Sequence, residues 1–67
     1  MIKPVIGIGN KIPQAKEFKE WLRAQGYEID TWPGTECYVD GEKVTDNPEA
    51  AEIWQSLWNQ FEEAVNG

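Results

Sequence analysis

The chain has no histidine, a single cysteine and, after residue 25, a single basic residue. Each scarcity excludes something. Without histidine the commonest metal ligand and the commonest general base are missing. With Cys37 alone, no internal disulfide can staple a chain of 67 residues. No apolar run approaches the roughly 18 residues of a membrane span, and Val5 to Ile8 is too short for the core of a secretory signal and has no cleavage site after it. A cytoplasmic, reducing location is the expectation, with no membrane partner.

Charge is present but segregated. Residues 1–25 carry Lys3, Lys11, Lys16, Lys19 and Arg23 against Glu17 and Glu20, a net +3. Residues 26–67 carry Lys43 against ten carboxylates, a net −9. A field of that sign attracts basic surfaces and repels nucleic acid. Size adds a second constraint. A domain of this length buries only about 60% of the surface its unfolded chain exposes, so stability is marginal. Four tryptophans supply apolar area in place of staples, and dimerisation or partner binding is a further way to complete the core.

The chain reads as one domain, residues 1–67, of the α+β class in the order β-α-β-β-β-α. Ile2 to Ile8 is β-branched and bounded by glycines, which reads as a strand, and Pro4 places its first half at an edge. Pro13 suits the first position of a helix over 13–25, closed by Gly26 in a left-handed cap. Phe18, Leu22 and Gln25 share one face of that helix, with Ala15 and Trp21 at its margins. Lys16, Lys19 and Arg23 form a separate stripe. Tyr27 to Trp32 alternates as a second strand, and Pro33-Gly34 is a turn.

Glu36 to Val39 and Glu42 to Thr45 flank Asp40-Gly41, the pair a two-residue type I′ hairpin demands. Counting outward pairs Val39 with Glu42, Tyr38 with Lys43 and Cys37 with Val44. Asn47 caps a last helix over 48–65, with Pro48 at its first position. Ala50, Ile53, Trp54, Leu57, Phe61, Ala64 and Val65 follow its period, and Trp58 and Ala51 widen the apolar arc beyond the roughly 100° an ordinary surface helix shows. Two helices on one face of a small mixed sheet is the expected architecture.

The chemical motifs are thin. Gly7-Ile8-Gly9 before a helix invites a phosphate-loop reading, but the fuller glycine pattern fails at Ile12. Cys37 has no histidine or nearby cation to activate it, so a structural thiol among Val39 and Val44 is expected. The carboxylates form no calcium-loop pattern. The expectation is a protein without catalytic residues, metal or cofactor. Trp54 is expected in the core, Trp21 at its edge, and Trp32 and Trp58 in exposed positions.

Gln14-Ala15-Lys16-Glu17-Phe18, Trp21-Leu22, Gln25-Gly26-Tyr27-Glu28-Ile29-Asp30 and the hairpin Tyr38-Val39-Asp40-Gly41-Glu42-Lys43-Val44, ahead of a C-terminal helix, together resemble a stripped-down glutaredoxin of the thioredoxin-like fold. The resemblance covers about half the chain. Where that family places C-P-x-C, this chain has Gly9-Asn10-Lys11-Ile12; the family's proline ahead of the hairpin falls at Thr35; and the helix between the second and third strands is missing. The resemblance therefore implies a fold and no redox activity, with one sheet face left bare.

The leading expectation is a small acidic module that occupies a basic, even nucleic-acid-binding, surface of a larger protein. Phage-encoded inhibitors and DNA mimics share that composition, since carboxylates can stand in for phosphates. The candidate contact residues are Glu36, Asp40, Glu42, Asp46, Glu49 and Glu52, with Trp32, Tyr38 and Trp58 as anchors. A homodimeric structural subunit is the alternative, and an enzyme ranks last.

Overall fold

The computed structural model describes residues 3–67. The elements are β1 (Val5–Gly9), α1 (Ala15–Ala24), β2 (Glu28–Trp32), β3 (Tyr38–Val39), β4 (Glu42–Lys43) and α2 (Pro48–Asn66). They form one α+β domain with a four-stranded sheet in the order β2-β1-β3-β4. β1 and β2 run parallel, while β1 with β3 and β3 with β4 are antiparallel. Of the expected first strand, Ile2 lies outside the described residues. The strand begins at Val5, after Pro4, and runs on through Gly9.

Alternation sorts β1. Ile6 and Ile8 are fully buried on the helix side, paired with Ile29 and Thr31 of β2. Gly7 and Gly9 face the other way. Helix α1 starts later than expected. Pro13 does not open it; Gln14 is the N-cap, at φ 59, with no side-chain cap. A tight turn precedes it, in which Ile12 N–H donates to Gly9 O and Ala15 N–H to Ile12 O. At the other end Gly26, at φ 93, holds the left-handed position. Its N–H donates to Arg23 O and the Tyr27 N–H to Leu22 O, the paired bonds of a Schellman cap.

The hairpin turn has the anticipated geometry. Asp40 sits at φ 52 and Gly41 at φ 81, as a type I′ turn requires. Tyr38 pairs with Lys43 and Val39 with Glu42. β3 and β4 are two residues each, shorter than expected, and one further bond from Val44 N–H to Cys37 O extends the ladder. The chain then turns at once into α2, because Asp46 and Asn47 N–H both donate to Lys43 O. Asn47 caps α2 by accepting from Glu49 N–H at 3.0 Å and Ala50 N–H at 3.4 Å.

Both helices cover one face of the sheet. The buried core draws Ile6, Ile8 and Val39 from the strands, Ala15, Phe18 and Leu22 from α1, and Ala50, Leu57 and Phe61 from α2. Phe18 is its centre: its ring lies 4.9 Å from Trp58, 5.2 Å from Phe61 and 5.3 Å from Trp54, centroid to centroid. Trp54 and Trp58 stack on each other at 5.6 Å and 9°. Both are half-buried, so Trp54 is less enclosed, and Trp58 more, than their places in the arc suggested.

The apolar arc of α2 also overstates what it buries. Ile53 is 42% exposed and Val65 55%, and Ala64 and, on α1, Gln25 are exposed too. At 19 residues α2 is about 28 Å long, longer than a five-residue strand can underlie. No helix among the described residues is long and apolar enough to cross a membrane.

Candidate functional site

The uncovered face of the sheet is built from the residues that alternate away from the core: Val5, Gly7 and Gly9 on β1, Glu28, Asp30 and Trp32 on β2, Tyr38 on β3 and Lys43 on β4. Residues 33–37 join β2 to β3 by crossing the end of β1 on this face. The crossing is pinned by Lys11 N–H donating to Gly34 O at 2.8 Å. It passes so close to Gly9 that a Cβ there would lie 2.5 Å from Gly34 O and 2.8 Å from Glu36 N. Glycine is what lets the backbone cross.

Beside this crossing, Trp32 and Tyr38 lean together over Gly7, their rings 4.4 Å apart and 30° from parallel. Trp32 Nε1 is buried beneath the stack without a hydrogen-bond partner. The Tyr38 hydroxyl donates to Glu36 Oε2 at 3.4 Å, and Lys43 Nζ stands 3.9 Å from Glu36 Oε1. Among the described residues Lys43–Glu36 is the one ion pair within 4 Å, and no charged residue is buried. The carboxylates of the acidic segment thus have almost no internal counter-charge.

A second grouping lies on the helix side of the hairpin. Asp40 and Glu42 meet Asn47 and Glu49 around a recess of about 160 Å³, floored by Val39 and Ala50 and bordered by Ile53. Asp40 has a structural duty as well, since its Oδ1 accepts the Val5 N–H at 3.0 Å. Glu49 sits in the first turn of α2, where the helix dipole favours negative charge.

The expected contact residues therefore fall into three places. Trp32, Glu36 and Tyr38 share the uncovered face. Asp40, Glu42 and Glu49 surround the recess, with Asp46 and Glu52 exposed nearby in sequence but not lining it. Trp58 belongs to neither: it packs in the helix layer against Phe18, Trp54 and Phe61. Trp32 is half-buried rather than exposed, because Gly7 gives its indole somewhere to lie. Glu28, Asp30 and the exposed Ile53 were not anticipated as contact residues. For Glu28 and Asp30 the signal was available, since they alternate with Trp32 along one strand.

Cys37 lies in the crossing segment and is half-buried, less enclosed than a core thiol. Its Sγ donates to Thr35 O at 3.7 Å. Burial pushes its pKa up, with a smaller opposing effect from a backbone hydrogen bond at Gly9. A thiol so placed is a poor nucleophile at neutral pH. Among the described residues no group of three His, Cys, Asp or Glu side chains is placed to hold a metal. No family model, curated protein or solved structure matches the chain.

Proposed function

We propose that this protein is a small acidic binding module that occupies a basic surface of a larger protein, in the manner of an inhibitor or regulator. The observation that carries the reading is the uncompensated negative charge: ten carboxylates after residue 25 and, among the described residues, a single ion pair at 3.9 Å. Carboxylates that are not consumed by the fold are available to a partner. Asp40, Glu42 and Glu49 border the recess beside the exposed Ile53, which offers an acidic rim around an apolar contact, the usual anatomy of an interface. Such rim charges act mainly on association rate and on salt dependence. A cationic groove that normally holds nucleic acid is one surface of the right sign, and the module itself repels nucleic acid.

The test is affinity capture from the cell that encodes the protein, at low and high salt, with the wild type beside Glu42→Lys and Glu49→Lys variants. A partner held at low salt, released at high salt and lost by the charge-reversed protein supports the reading. Silent acidic reversals, with loss of binding on changing Lys16, Lys19 and Arg23, would sink it.

A second reading, a homodimeric structural subunit, draws on the Trp32–Tyr38 pair on a sheet face that no helix covers. It calls for a sedimentation mass of two chains that does not change with salt. Under either reading the resemblance to glutaredoxin brings no redox activity with it, because Gly9-Asn10-Lys11-Ile12 stands where that family places C-P-x-C.

A further inference from the structure

We infer that the outer edge of β2 takes up an extended segment of the partner, one with Lys or Arg at every second position and no cation between them. This rests on the reading of the protein as a binder of basic surfaces, and adds where and in what conformation the partner is held.

The edge is defined by hydrogen bonds already made. β2 is the outermost strand on its side of the sheet. Asn10 N–H donates to Trp32 O at 2.8 Å, while on the other side of β1 Asp40 N–H donates to Val5 O at 2.8 Å. Backbone groups alternate sides along a strand. Glu28, Asp30 and Trp32 therefore turn their N–H and C=O toward β1, and Ile29 and Thr31 turn theirs outward. Among the described residues, no turn or loop bond uses these outward groups. The opposite edge is β4, only two residues long, the short edge that proteins use to discourage pairing. β2 has five residues and neither proline nor lysine to guard it.

Charge decides what fits beside it. Glu28 and Asp30 are exposed on the uncovered face, two residues apart, the repeat of a strand. On the other face stands the flank of α1. Trp21 turns toward α2, its ring 6.0 Å from that of Phe61. At 100° per residue, Lys16, Lys19 and Arg23 project from the opposite side of α1. Because α1 packs over β1 and β2 while α2 packs over β3, that side overlooks the β2 edge. Of these, Lys19 Nζ reaches the C-terminal end of β1, where it donates to Asn10 Oδ1 at 2.9 Å. An incoming strand thus runs between anions on one face and cations on the other. Its side chains alternate between those faces, so cations suit every second position and are repelled at the positions between.

A second copy is the wrong occupant. Two β2 edges paired antiparallel about a two-fold axis keep like faces together. Glu28 and Asp30 of both copies would then crowd one face and both cationic flanks the other, and like charges across a strand pair are destabilising. Main-chain pairing supplies affinity and the alternate side chains supply selection, as in other strand-addition complexes.

The experiment is a titration of the whole protein, followed by amide resonances, with the synthetic heptapeptide Lys-Thr-Lys-Thr-Lys-Thr-Lys and with heptalysine, at low salt. The alternating peptide should bind more tightly than heptalysine despite its lower charge, and should slow hydrogen exchange at the Ile29 and Thr31 amides. Thr31→Pro removes an outward N–H without touching the β1 ladder and should weaken the alternating peptide about tenfold; Thr31→Ala should not. If Thr31→Pro fails to fold, protection of the two amides in the wild type decides alone. Tighter binding of heptalysine, with shifts centred on Asp40, Glu42 and Glu49, would overturn the edge and leave the basic-surface reading standing. If neither peptide binds, both readings fall.

Discussion

The indole of Trp32 and the phenol ring of Tyr38 stack across Gly7, 4.4 Å apart, although they belong to strands that never touch each other. The strand between them has no side chain at that position, so the rings meet over bare backbone. A Cβ on Gly7 would lie 2.6 Å from Trp32 Nε1 and 2.8 Å from Tyr38 Cβ. Gly7→Ala should therefore part the rings and cost about 1–3 kcal/mol, the range for overpacking. Near-ultraviolet circular dichroism and a denaturant midpoint check this. An unchanged aromatic signal would mean the rings do not rest on Gly7.

The hairpin depends on Gly41 at φ 81. Valine resists that conformation, so Gly41→Val should destabilise by about 1–3 kcal/mol. Nothing lies within 4 Å of the place a Cβ would occupy, so the loss comes from backbone strain and not from collision. Unchanged thermal stability would contradict the turn.

Phe18 touches four other aromatic rings and is fully buried. Phe18→Ala should cost about 3–5 kcal/mol, which is comparable to the whole stability of a domain this small. The expected result is loss of the cooperative thermal transition. A variant that still melts cooperatively would show that the tryptophans form the core without Phe18.

Cys37 gives a pH dependence of definite sign. Burial favours its neutral thiol, so its pKa in the folded protein is raised. The unfolded thiol ionises near pH 8.5. Its contribution is fully present below that value and is lost as pH rises toward the folded pKa. Stability of the wild type should fall more steeply above about pH 8.5 than that of Cys37→Ser, which should be only modestly less stable at neutral pH. Chemical denaturation at several alkaline pH values checks both, and parallel profiles would show the thiol to be freely solvated.

Local signals carried much of the fold. Asp40-Gly41, Asn47-Pro48 and Gly26 each encode a backbone conformation that their neighbours scarcely alter, so the type I′ turn, the start of α2 and the end of α1 were all legible. The hairpin register followed from counting out of the turn. The start of α1 was misplaced at Pro13 because the left-handed Gln14 is fixed by a turn packed against the end of β1, and no propensity of glutamine announces it.

The candidate surface was legible only in part, and distance in sequence is the reason. The amino-acid order alone determined that negative charge accumulates after residue 25 with a single lysine among it. It also determined that Asp40, Glu42 and Glu49 would lie near one another, since a two-residue turn and a helix cap keep them close along the chain. Only the tertiary structure decided where the aromatic residues went. Trp58 was drawn into the helix layer by Phe18, an attraction between helices that the period of one helix cannot disclose. Trp32 and Tyr38 were brought together because β1, the earliest strand in the chain, inserts between the strands that carry them and offers Gly7. That meeting depends on sheet order, and sheet order is settled by burying Ile6 and Ile8 at the centre of the whole domain, a condition no short stretch of sequence contains.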